Sequence, residues 1–81
     1  MIHEIKILKN YADRILSGEK DFEVRLNDRD YQKGDILKFT VLTQKDGLVI
    51  ADYDLKRRIK YIHTGLGMEK DYVILGLLEV E

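Results

Sequence analysis

Isoleucines alternate with charged residues at the start of the chain. In IHEIKIL, residues 2–8, Ile5 and Ile7 fall on one side and Glu4 and Lys6 on the other, the period of a half-buried strand, with His3 in the isoleucine row. Over NYADRILSG, Ala12, Ile15 and Leu16 share one helical face, Asn10 is placed to cap a helix, and Asp13 sits where first-turn amides favour a carboxylate. Gly18 suits the left-handed position that ends such a helix, so the main helix is expected near Tyr11 to Ser17. KDFEVRL returns to alternation, with Phe22, Val24 and Leu26 on one face and Asp21, Glu23 and Arg25 on the other. NDRDYQKGD is turn chemistry, in which Asn27, Asp28 and Gly34 tolerate unusual backbone angles. A third strand, ILKFTVL, sets Leu37, Phe39 and Val41 in an apolar row, and Asp46 and Gly47 then mark a hairpin or short loop.

The stretch ADYDLKRRIKYIHT fits two patterns. Leu55, Ile59 and Ile62 have helical spacing, whereas Leu55, Ile59 and Tyr61 make a strand row interrupted by Arg57. The isoleucine and tyrosine content, and the short distance to the glycine-bearing HTGLGMEKD, favour the strand. The last strand, YVILGLLEV, is apolar on both faces and so belongs in the middle of a sheet or inside a wrapped one, with Gly76 permitting a bulge or a close backbone approach. This order predicts a mainly β fold with one or two short helices: a small antiparallel barrel of five or six strands with the main helix on its rim.

Composition narrows the picture. Eighty-one residues make a single domain, 1–81, small enough that nearly every apolar residue is expected in the core. The absence of cysteine excludes a disulfide framework, and two histidines far apart in sequence argue against a metal site; no cofactor is indicated. The longest apolar run, Tyr72 to Leu78, is too short to span a bilayer, and MIHEIKILKN lacks a signal peptide's apolar segment, so a cytoplasmic protein without a membrane partner is expected. With a net charge of −1, attraction to nucleic acid cannot be wholesale; an anion site has to be local.

Local concentrations of charge supply the candidates. Glu23 and Arg25, two apart on a strand, project from one face with Cα atoms about 7 Å apart, close enough to meet or to share a ligand. Lys20 belongs to the opposite row by strict alternation, but it follows the helix-ending glycine, where the strand need not yet be regular. Two cations around one carboxylate can hold a phosphate and read a donor group; the plainer alternative is a surface ion-pair cluster of little energetic value. Asn27 and Asp28 serve either as turn formers or at the site, while Arg29 has no local duty and is an anion contact or a solvated arginine. In LKRRIK, Lys56, Arg58 and Lys60 share one strand row that could track a phosphate backbone, with Tyr53 or Tyr61 available to stack on a base, or could simply be a solvated face. His3 and His63 read as structural, and GLG at residues 65–67 reads as a turn.

Gly18, Lys20, Glu23 and Arg25 together spell G-x-K-x-x-E-x-R, which resembles the signature of the ASCH superfamily. With FEVRLNDRDYQKGDIL, HEIKIL and DYVILGL, most of the chain resembles a small uncharacterised ASCH-related family of bacteria and their phages. The resemblance implies a PUA-like β-barrel that places RNA, or a nucleoside or nucleotide, in a cleft beside the signature. One branch of the superfamily hydrolyses an acetylated cytidine with a lysine at this spacing and a threonine three residues later. Lys20 matches that lysine, but Glu23 stands in the threonine's place. Three readings follow. The first is an RNA- or nucleotide-binding module using Lys20, Glu23, Arg25, Asn27, Arg29, Lys56, Arg58 and Lys60. The second is a small amidohydrolase on a modified nucleoside, with Lys20 and Glu23 acting on a water. The third is a protein-interaction domain that makes no use of the cleft.

Overall fold

The structure, a computed structural model, describes residues 1–80. The elements run β1 (Ile2–Leu8), α1 (Lys9–Leu16), β2 (Phe22–Leu26), β3 (Ile36–Lys45), β4 (Leu48–His63) and β5 (Tyr72–Glu79). The strands form one five-stranded sheet in the order β1-β3-β4-β5-β2. The residues 55–62 that fitted both patterns are strand, within the 16-residue β4.

The sheet is mixed and open, where a closed antiparallel barrel was expected. β1 pairs parallel with β3, because the chain between them passes through α1 and β2 and returns to run in the same direction. The other three pairings are antiparallel. β1 and β2 are the two edges, and no backbone ladder joins them.

His3, Ile5 and Ile7 of β1 point inward, meeting Leu37, Phe39 and Val41 of β3, Leu55 and Ile59 of β4, and Val73, Leu75 and Leu77 of β5. Ala12 and Ile15 of α1 close one side of this core, and Tyr31 enters it from the β2–β3 connection. The helix differs in detail from the expected one. β1 runs straight into it, so Leu8 occupies the cap position without a side-chain hydrogen bond, and Asn10 lies inside the first turn. Asp13 instead pairs with Lys9 one turn earlier, at 3.1 Å, and Leu16 faces solvent. Gly18 does take the left-handed conformation, φ +82°, that turns the chain out of the helix.

The β3–β4 hairpin turns at Asp46 and Gly47, both with positive φ, as a two-residue turn of this sequence favours. On β4 a bulge lies between Ile59 and Tyr61, where β5 presents Gly76. A side chain there would meet Lys60 Cγ and Tyr61 Cβ at 3.4 Å, so the absence of one lets the bulged strand settle against β5.

β2 is the strand that breaks the expected partition of polar and apolar residues. Phe22, Val24 and Leu26 are each more than 40% exposed, while Glu23 is buried and Arg25 half-buried. The apolar row faces solvent and the charged row faces in.

Candidate functional site

Inward-facing charges on β2 need partners, and they find them in one another. Lys20 Nζ donates to Glu23 Oε1 at 3.0 Å, and Arg25 Nε donates to Glu23 Oε2 at 3.0 Å. The left-handed Gly18 and the bond from Lys20 N–H to the Arg14 carbonyl at 3.0 Å hold Lys20 outside regular strand geometry, which brings it to the Glu23 side despite the alternation. Its ammonium also lies 5.2 Å from the Tyr11 ring centre and 5.5 Å from that of Phe22. Lys20, Glu23 and Arg25 therefore converge.

Arg25 has a second contact, with Nη2 donating to the Lys6 carbonyl on β1 at 2.6 Å. This side chain bridges the two sheet edges where no ladder does. Beside the bridge is an open cleft of about 420 Å³ walled by Lys6 and Tyr11 on one side and Lys20, Glu23, Val24 and Arg25 on the other.

Strand geometry supplies the cleft with main-chain groups as well. The Asp21 carbonyl accepts from the Leu77 N–H of β5 and the Asn27 N–H donates to the Asp71 carbonyl just before that strand, which assigns the odd-numbered residues of β2 to β5 and turns the main chain of Phe22 and Val24 toward the cleft. On β1, the Lys6 carbonyl reaches Arg25, so the Lys6 N–H points the same way.

The other expected residues are dispersed. Asn27 is exposed, and its N–H bonds to the Asp71 carbonyl at 2.7 Å. Asp30, rather than Asn27 or Asp28, takes the left-handed turn conformation, φ +49°. Arg29 is exposed, 3.9 Å from Asp28, and lies beyond the cleft along β1. Lys56, Arg58 and Lys60 all face outward but are differently engaged. Arg58 Nη1 donates to the Gly34 carbonyl at 2.7 Å, Lys60 leans toward Asp21 at 4.0 Å, and Lys56 lies with Lys38 and Arg29 beside the start of β1. Tyr53 packs on the core, and Tyr61 is exposed. His63 Nε2 makes a local contact with the Leu66 carbonyl at 2.9 Å. Among the described residues, no cluster of His, Asp and Glu could hold a metal ion.

A second buried polar group had no counterpart in the sequence reading beyond the inward placement of His3. His3 Nε2 donates to Asp35 Oδ2 at 2.7 Å, and the Gln32 N–H donates to the same oxygen at 3.0 Å. The His3 and Tyr31 rings meet edge to face, 4.8 Å between centres. The His3 hydrogen bond, helped by Gln32, outweighs burial and holds the Asp35 carboxyl at about 2, below its ordinary 3.8. This group fixes the β2–β3 connection to β1 and lies outside the cleft. Lys6 and Tyr11, by contrast, do line the cleft and went unnoticed. Nothing local marks a residue whose role comes from standing opposite β2.

Residues 2–77 match the family described as a domain of unknown function, DUF3850. The chain belongs to that family. It is also similar to an uncharacterised 12.9 kDa protein in the GpA 3′ region of Escherichia phage P2, 47% identical over 74 residues. The match covers 91% of this chain and 65% of the phage protein, so the chain spans less than two thirds of that relative's length.

Proposed function

We propose that this DUF3850 protein is an ASCH-related, PUA-like module that binds RNA through a nucleoside or nucleotide held in the cleft between β1 and β2. The observation that carries the reading is the inversion of β2. A strand that offers Phe22, Val24 and Leu26 to water and buries Glu23 between two cations gains little stability by it, because a buried ion pair roughly cancels its own desolvation cost. A binding site accounts for the arrangement.

The chemistry suits a nucleoside. The Glu23 carboxylate accepts from an amino or hydroxyl group, Arg25 and Lys20 donate to carbonyl or phosphate oxygens, and the Lys6 N–H with the outward main chain of Val24 offers both donors and an acceptor for the edge of a base. Tyr11 lines the cleft beside Lys20 and gives it an aromatic surface. Binding is preferred over hydrolysis because Glu23 stands where the amidohydrolase branch has its threonine, and among the described residues no serine, threonine or cysteine lines the cleft to take that nucleophile's place.

The test is titration of isotope-labelled protein with the four nucleosides, their monophosphates and a short mixed-sequence RNA. Amide shifts should centre on Lys6, Val24 and Arg25, and Glu23→Gln should weaken binding by about tenfold, the loss of one charge-assisted contact. Absence of binding by every one of these probes, or shifts confined to a different face, would overturn the reading.

A further inference from the structure

The cleft does not stop at Arg25. A second hollow continues from it along β1, sharing Lys6, Arg25 and Leu26 with the first and reaching Asp28 and Arg29. A third shares Glu4 and Arg29 with the second and ends among Ile2, Lys38 and Lys56. The path bends: the first two run along the side of β1 that no strand covers, and the third turns from there onto the outer face of the sheet, where Lys38 of β3 and Lys56 of β4 stand in register with Glu4. Alternation along β1 turns the main chain of Glu4, like that of Lys6, toward this path.

Charge along the path is uneven in a useful way. Glu23 is held by Lys20 and Arg25, and Glu4 lies 3.6 Å from Lys38, which also faces Asp54 at 3.6 Å. The Asp28 contact with Arg29 is long and exposed, at 3.9 Å. Lys6 and Lys56 make no ion pair among the described residues. Glu23 and Glu4 are thus answered by Lys20, Arg25 and Lys38, Asp28 stands only loosely beside Arg29, and Lys6, Arg29 and Lys56 are spaced along the groove.

We infer that the groove takes single-stranded RNA, with one nucleoside in the cleft and the adjoining phosphates on Lys6, Arg29 and Lys56. The inference rests on the nucleoside reading of the cleft and extends the bound ligand beyond it, to a run of phosphates on named cations. It also divides the outward cations of β4. Lys56 belongs to the groove, whereas Lys60 stands on the β5 side over Gly76 and takes no part.

The experiment is fluorescence anisotropy with labelled single-stranded RNAs of one, three and eight nucleotides, at several salt concentrations, on the whole chain. Affinity should rise with length. Three phosphate contacts at about −0.7 each give the octamer a log–log salt slope of roughly −2, and Arg29→Ala with Lys56→Ala should flatten it to roughly −0.7. Lys60→Ala should leave the slope unchanged, and circular dichroism should show the double variant folded, since both its altered side chains are exposed. If the mononucleotide binds as tightly as the octamer, or the double variant keeps the wild-type slope, the groove is not a phosphate track and the cleft reading survives alone. If RNA of no length binds, both fall together.

Discussion

Replacing Asp35 with asparagine tests the polar group that ties the β2–β3 connection to β1. The native carboxyl, at about 2 against an ordinary 3.8, is stabilised in its charged form by His3 and by the Gln32 amide. That displacement corresponds to about 2 kcal/mol of folding stability, at about 1.4 kcal/mol per pH unit. Because the folded value lies below the unfolded one, the contribution is complete above about pH 4 and is lost as pH falls toward 2. Asparagine fills the same space but carries no charge and has one acceptor oxygen, so Asp35→Asn should cost about 2 kcal/mol at pH 7. Urea unfolding of both proteins at pH 7, 5, 3.5 and 2.5 is the assay. The remaining carboxylates titrate in both proteins and cancel in the difference, which should shrink from about 2 kcal/mol to well under half of that at the lowest pH. A difference that stayed constant from pH 5 to 2.5 would refute the assignment of the low value to Asp35.

The inverted strand makes a second prediction: Val24→Thr, on the exposed row, should change stability by about 0.5 kcal/mol or less, while Leu37→Ala, in the core, should cost about 2–5 kcal/mol by the same denaturant measurement. Gly47→Ala should cost about 1 kcal/mol through backbone strain, because φ there is +79° and nothing lies within 4 Å of the added methyl; a neutral result by thermal unfolding would mean that the turn can change type.

Much of the molecule was legible in its sequence, and the limits have physical causes. The alternation in IHEIKIL and ILKFTVL placed His3, Ile5, Leu37, Phe39 and Val41 correctly, because one-sided burial forces a period of two. Gly18, Asp46 and Gly47 were legible because few residues accept positive φ. For β2 the same period showed which residues share a face but not which face is inside. Apolar content pointed one way, while Lys20, Glu23 and Arg25, satisfying one another, made the other possible. The convergence of Lys20 on Glu23 depended on irregular backbone after Gly18, and the parallel β1–β3 pairing, with the open edges it leaves, depended on contacts that no local stretch encodes.

The order of strands also bears on how the molecule assembles and comes apart. β3 and β4 adjoin through a two-residue turn, so their pairing closes almost no loop, whereas Ile2 must find Ile36 and Glu23 must find Leu75 across long intervening chain. Non-local pairings pay their loop entropy before contacts reward it. The β3–β4 hairpin is accordingly the natural nucleus, and the strands that wall the cleft dock late. The same two strands, each hydrogen-bonded on one side, are the first of the sheet to open, so among the strands amide exchange should be fastest at the site. A molecule lodged between them links the two segments that folding joins last, and its affinity should appear as slowed exchange at both sheet margins together.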